Sequence, residues 1–243
     1  MINLNFVSHF LSHNPMLTLF FVAHFLADFQ WQSQKMADLK SRDWRYLSKH
    51  LCIVALPLIL ISLCMPQAFG LALLVFASHV VIDSAKFLLY PFYHKQQLDK
   101  SIFLLDQTLH LLMITTLYLF SEQITVGWIS DIQYILKLIL FMVLITKPVN
   151  IIFKLFFSKY QVKNINDDET VTGAGATIGL LERLIMGIFL LFGQFASIGL
   201  VFTAKSIARY DKISKNQAFA EYYLIGSLFS IISVLAVYAL CLI

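Results

Sequence analysis

The sequence predicts an all-α integral membrane protein, a polytopic helical bundle of about 6–7 transmembrane segments with one segment broken or re-entrant. Three observations carry this. Of 243 residues, 59% are hydrophobic and only 13% charged, where a soluble domain carries about 25% charged residues. Mean hydropathy is +0.76. The apolar residues fall into runs of roughly 20 residues broken by short polar stretches, the length a helix needs to cross lipid. This composition excludes a disordered chain and a nucleic-acid binder built on a basic face, and it argues against a soluble enzyme. The N-terminal run has no Lys or Arg before it and no cleavage pattern, so no signal peptide is expected. Cys52, Cys64 and Cys241 all lie in apolar runs and form neither a disulfide framework nor a CxxC site.

The candidate spans are 15–31, 48–65, 69–93, 101–120, 132–157, 176–204 and 219–243. Backbone polar groups must be satisfied internally in lipid, which makes these helices. Orientation follows from the connections. The first holds Lys35, Lys40, Arg42, Arg45 and Lys49, the second no basic residue, the third Lys95 and Lys100. The fourth holds only Glu122 and Asp131, and the fifth Lys159 and Lys163. This alternation places the N-terminus outside and the odd connections in the cytoplasm of a bacterial inner membrane. Lys205, Arg209, Lys212 and Lys215 break the rule unless 176–204 dips and returns, or 132–157 fails to cross. Lys147-Pro148 favours an interruption in the latter, and Gly187, Gly193 and Gly199 leave the former open. Seven full crossings is the alternative. The organisation expected is an N-terminal helical module over 1–157, a polar linker over 158–175 and a C-terminal helical pair over 176–243. The linker ends in Thr172-Gly173-Ala174-Gly175, which reads as a helix entry, since no Walker lysine follows it.

The informative residues are polar ones inside the spans. His24 and Asp28, His79 and Asp83, and Asp106 and His110 are each four apart, so each pair shares one helix face. His50 stands at the cytoplasmic start of the second helix, and Lys86 follows Asp83 by three residues. With the orientation above, Asp28 lies about one turn and Asp106 about one and a half turns from the cytoplasmic end. His24, Asp83 and His110 lie about two to three turns in, with His79 deeper. One such pair alone reads as an interhelical hydrogen bond. Three at matched depth read as a functional site, because an ionisable residue at a helix centre in lipid costs about 2.5–3.5 kcal/mol. His24–Asp28–His50 also recurs as His79–Asp83–Asp106 after about 55 residues, a faint repeat of two helical hairpins.

Histidines with carboxylates suit a divalent metal, with zinc favoured by imidazole and Mn²⁺ or Fe²⁺ as alternatives. The expected ligands are His24, Asp28, His50, His79, Asp83, Asp106 and His110, with Asp28, Asp83 and Asp106 as candidate general bases. Lys86, Lys205 and Arg209 are the expected contacts to an anionic head group. The reaction expected is metal-dependent hydrolysis of a lipid-linked phosphate or phospholipid at the cytoplasmic leaflet. The alternatives are a proton- or metal-coupled transporter and a membrane sensor without turnover. Membrane lipids are the expected partners, with no nucleic acid.

The segments HFLADFQWQSQKMADLK (24–40), HVVIDSAK (79–86), DQTLH (106–110), IGLLER (178–183), AKSIARY (204–210) and AEYYLIGS (220–227) together resemble an uncharacterised bacterial inner-membrane family, domain of unknown function 3307. Tyr210 and Ser227 stand where that pattern has Phe and Thr. The resemblance implies a polytopic membrane protein and supplies no reaction. The His-x-x-x-Asp pairs also distantly resemble those of inner-membrane metal-dependent hydrolases.

Overall fold

A computed structural model describes residues 5–121, 127–161 and 173–243, and among these every regular element is helical. The helices are α1 (Phe6–His13), α2 (Pro15–Phe25), α3 (Gln34–Leu39), α4 (Trp44–Cys64), α5 (Phe69–Lys95), α6 (Asp99–Phe120) and α7 (Gly127–Asp131). They continue as α8 (Gln133–Ile145), α9 (Lys147–Phe157), α10 (Ala174–Leu191), α11 (Ala196–Ala208), α12 (Tyr210–Lys215) and α13 (Gln217–Leu242). Among the described residues, 6 helical stretches are long and apolar enough to cross a membrane, or 7 with the bent α1–α2 pair. Their outward faces carry bare apolar side chains, such as Leu63 (73% exposed), Leu88 (71%) and Phe120 (88%). Contiguous surface of this kind is sustained by lipid and not by water. The chain is a multi-pass membrane protein.

Packing divides the chain into two compact units, Phe10–Leu140 and a second made of residues 141–243 with the N-terminal residues up to His9, so the division falls inside α8. The polar linker expected at 158–175 lies for the most part outside the described residues, as do Glu122 and Lys163.

In the first unit, local chemistry sets each helix start. Asp43 caps α4 by accepting from the Arg45 N–H at 2.8 Å, and Ser33 caps α3 by accepting from Met36. At the end of α5, Gln97 adopts a left-handed backbone (φ 58°). There the Leu98 N–H bonds to the Tyr93 carbonyl and the Gln97 N–H to that of His94, a Schellman closure that turns the chain into α6. Short connections of this kind make α4, α5 and α6 antiparallel neighbours.

Each helix presents one inner stripe. It runs Met16, Phe20 and Ala23 on α2, Val54, Leu58 and Ile61 on α4, and Leu71, Ala72 and Val75 on α5, with Ile114 from α6. These apolar residues form a single core. At one common level every stripe turns polar: after Ala23 on α2, before Val54 on α4, after Val75 on α5 and before Ile114 on α6. Because neighbouring helices alternate in direction, these levels coincide at the end that bears α3.

In the second unit, the expected interruption at Lys147-Pro148 is present. Thr146 leaves helical geometry (φ −91°, ψ −112°), and α9 restarts with Pro148 in its first turn. The stretch 176–204 is two helices, not one. α10 ends in a Schellman closure, with Gly193 at φ +70°, the Gln194 N–H on the Phe189 carbonyl and the Gly193 N–H on that of Leu190. α11 then folds back along α10, so that Lys205 reaches Glu182 at 2.7 Å. This hairpin returns the basic 205–215 segment to the side where α10 begins. The bend at Asn14-Pro15, 103° between α1 and α2, was not expected from the sequence.

Candidate metal centre

The polar level of the first unit gathers all seven candidate ligands. His24, Asp28, His50, His79, Asp83, Asp106 and His110 are all buried, none more than 5% exposed. Asp28 sits in a π-turn, Leu26–Gln30, where the Trp31 N–H reaches back five residues to the Leu26 carbonyl. A π-turn widens a helix locally and re-aims its side chains, a device frequent at functional sites.

Four atoms from two helices and this turn converge. His50 Nε2 lies 3.1 Å from Asp83 Oδ2, 3.4 Å from His79 Nε2 and 3.6 Å from Asp28 Oδ1. His79 Nε2 lies 3.4 Å from each of the same two carboxylate oxygens. A tetrahedral ion with N and O ligands at about 2.0–2.2 Å holds them about 3.3–3.5 Å apart. Five of the six separations among the four atoms lie at 3.1–3.6 Å, close to this spacing.

Protons are scarce at this point. Lys40 Nζ is 3.0 Å from His50 Nε2, and an ammonium only donates, so that nitrogen carries its lone pair there. His50 therefore has no proton to give Asp83. Both Asp83 oxygens, Asp28 Oδ1, Asp106 Oδ1, His24 Nδ1 and His110 Nε2 are buried without a hydrogen-bond partner, as is one donor, the His50 Nδ1–H. The tautomers of two histidines follow from their neighbours. His110 Nδ1 donates to the Asp106 carbonyl at 2.8 Å, which leaves a lone pair on Nε2. Gln107 donates through Nε2 to Asp28 and Asp106, so its Oε1 accepts from His24 Nε2 at 3.3 Å, and His24 Nδ1 keeps its lone pair. Such outer contacts are what fix a ligating imidazole. The cluster is thus rich in acceptors that converge and poor in donors, which is the chemistry of a cation site.

Two ammonium groups balance part of the negative charge. Lys86 donates to Asp106 Oδ2 at 2.8 Å. Lys40 lies 3.8 Å from Asp83 and 3.9 Å from Asp28. Burial alone would lower the Lys40 ammonium, but Asp83, Asp28 and Asp106 outweigh it and hold its pKa above the usual lysine value. Three carboxylates against two ammonium groups leave one negative charge in excess while the histidines are neutral.

Sequence reasoning missed Lys40 and Gln107. In the sequence Lys40 stands among the other basic residues of its connection. Those residues turn outward, Arg42 over the Tyr90 ring and Lys35 and Lys49 over Tyr46, whereas Lys40, at the end of the Ser33-capped α3, is 7% exposed and points in. The expected phosphate contacts divide. Lys86 joins the cluster, while Lys205 and Arg209 belong to the second unit, where Lys205 pairs with Glu182.

No curated protein and no solved structure matches the chain, and the comparisons give no support for a likeness to hydrolases. The family described as "Protein of unknown function (DUF3307)" matches residues 16–152, more than half of the chain, and that stretch contains every residue of the cluster. The chain therefore belongs to the DUF3307 family.

Proposed function

We propose that this protein is a metal-dependent hydrolase of a bacterial inner membrane, acting on a lipid-linked phosphate or phospholipid from the cytoplasmic leaflet. The observation that carries the reading is the approach of His50 Nε2 and His79 Nε2 to each other and to Asp28 Oδ1 and Asp83 Oδ2, at 3.1–3.6 Å, in a cluster short of donors. Imidazole with carboxylate favours zinc, with Mn²⁺ or Fe²⁺ as the other candidates. Such an ion, when bound, lowers the pKa of water and polarises a phosphoryl oxygen. Hydrolysis adds water across the P–O bond to the lipid, and a carboxylate of the cluster not held by metal takes the proton. Lys86, already on Asp106, supplies the positive charge that a phosphate oxygen needs. A lipid substrate fits the setting: bare apolar helix faces let it arrive laterally, and Lys35, Arg42, Arg45 and Lys49 flank the polar end.

Elemental analysis of the purified chain, with phosphate release from a short-chain phosphatidic acid and a polyprenyl phosphate, tests this. Stoichiometric transition metal and activity lost in His79→Ala are expected. A metal-free protein whose His79→Ala variant keeps its activity overturns it. The second reading, a proton- or metal-coupled transporter, draws on the π-turn at Asp28 and the helix break at Thr146, since discontinuous helices line transport sites. Solute or metal flux in proteoliposomes without product would select it.

A further inference from the structure

The cluster holds more free acceptors than a single tetrahedral ion uses. Once His50, His79, Asp28 Oδ1 and Asp83 Oδ2 are assigned, His24 Nδ1, His110 Nε2, Asp106 Oδ1 and Asp83 Oδ1 remain, each buried and without a hydrogen-bond partner. They are not scattered. Asp83, Asp106 and His110 each offer a ligand atom within 4.8 Å of the others, and His50, His79 and Asp83 do the same. Asp83 is common to both sets, with neither oxygen claimed by a donor.

The other atoms of these residues are already engaged in ways that aim the free ones. The Asp106 carbonyl takes the proton of His110 Nδ1, so Nε2 presents a lone pair. Lys86 and Gln107 both bind Asp106 Oδ2 and leave Oδ1 open. A solvated acidic patch would show neither a fixed imidazole tautomer nor a carboxylate held by one oxygen only.

We propose that the cluster binds a second divalent cation through Asp83, Asp106 and His110, with the Asp83 carboxylate bridging the two ions. This rests on the reading of the first site and specifies its chemistry. Two ions sharing a carboxylate clamp both the attacking and the leaving oxygen of a phosphoryl group. Their combined positive charge also selects a multiply charged anion, such as a phosphate monoester, over a neutral ester. Two carboxylates with one imidazole suit Mn²⁺ or Fe²⁺ at the second position as well as Zn²⁺.

The test uses the full chain in detergent, equilibrated by dialysis against Zn²⁺ and, separately, against Mn²⁺. Ions are counted by elemental analysis, and the manganese sample is read by electron paramagnetic resonance. The expected result is about two ions per chain, with an exchange-coupled manganese spectrum, falling to about one ion with an isolated six-line spectrum in His110→Ala. One ion per chain in the unaltered protein overturns the second position and leaves the first standing. No ion with either metal overturns both. Two ions that persist in His110→Ala, or two without exchange coupling, overturn the bridged arrangement. The unaltered protein decides by itself if the variant fails to fold.

Discussion

Each unit of the molecule buries charge, and the two solve the resulting problem differently. In the second unit, the guanidinium of Arg183 is 3% exposed and every one of its nitrogens has an acceptor. Nε donates to the Ile145 carbonyl at 2.6 Å, Nη2 to the Thr146 carbonyl and Asn150, and Nη1 to Ser230 of α13. Ile145 and Thr146 are where α8 stops and α9 restarts, so the carbonyls freed by that break are the ones Arg183 takes. The first unit shows the reverse, with convergent carboxylates and imidazoles and too few donors to meet them. A buried acceptor without a partner costs about 1–3 kcal/mol, and more in lipid, where no water substitutes. A charge fully met by the chain's own atoms is a clasp. A charge left in excess marks a place for something the chain does not supply.

The sharpest way to break this contrast is to remove the clasp. Arg183→Met strips partners from two backbone carbonyls and the Asn150 side chain, at about 1–3 kcal/mol for each buried acceptor. A loss of roughly 3 kcal/mol or more is expected in unfolding of the detergent-solubilised protein. A change below about 1 kcal/mol means that the break between α8 and α9 holds without Arg183.

Asp83→Asn makes the opposite case. It removes the excess negative charge, so metal-free stability is expected to stay within about 1 kcal/mol of the unaltered protein or to rise. What it loses is protection by metal. At about 100 times its Kd, a metal stabilises the unaltered protein by about 2.7 kcal/mol, and Asp83→Asn gains none of this. If the metal-free variant melts more readily by over about 2 kcal/mol, the cluster is a structural network like the Arg183 clasp, and the contrast fails.

How far the sequence anticipates these two regions depends on what kind of information each needs. The three His/Asp pairs are legible because helical period fixes their face and loop charges fix their depth, and the fold brings all of them to one level. The helix break at Thr146 is legible from Pro148. The turn at Gly193 is harder, because hydropathy reads 176–204 as one apolar run and only a left-handed glycine shows the reversal. In the sequence Arg183 is only a charge near the start of an apolar run, since its partners are mainly backbone carbonyls, which no residue pattern displays. The π-turn at Asp28 has no sequence signal we recognise.

Lys40 gives the smallest effect and the finest probe of the contrast. Its ammonium approaches His50, Asp83 and Asp28, three of the four residues placed to hold the first ion, so it competes with a metal for the same negative charge. Lys40→Met is therefore expected to tighten metal binding about tenfold, or about 1.4 kcal/mol. The pH dependence has a definite sign. Although burial opposes the charged form, Asp83, Asp28 and Asp106 raise the pKa of Lys40 above its unfolded value of 10.5. Its stabilising contribution is fully present below that unfolded value and is lost only as pH rises through the higher folded one. Between about pH 8 and 9, where the imidazoles are neutral, the competition is constant, so the affinity ratio of Lys40→Met to the unaltered protein, read by calorimetric titration with Zn²⁺, stays flat. A ratio falling toward one near pH 9 would mean that the amine loses its proton within the cluster. Weaker binding in Lys40→Met would mean that Lys40 orients the carboxylates for the ion instead of competing with it.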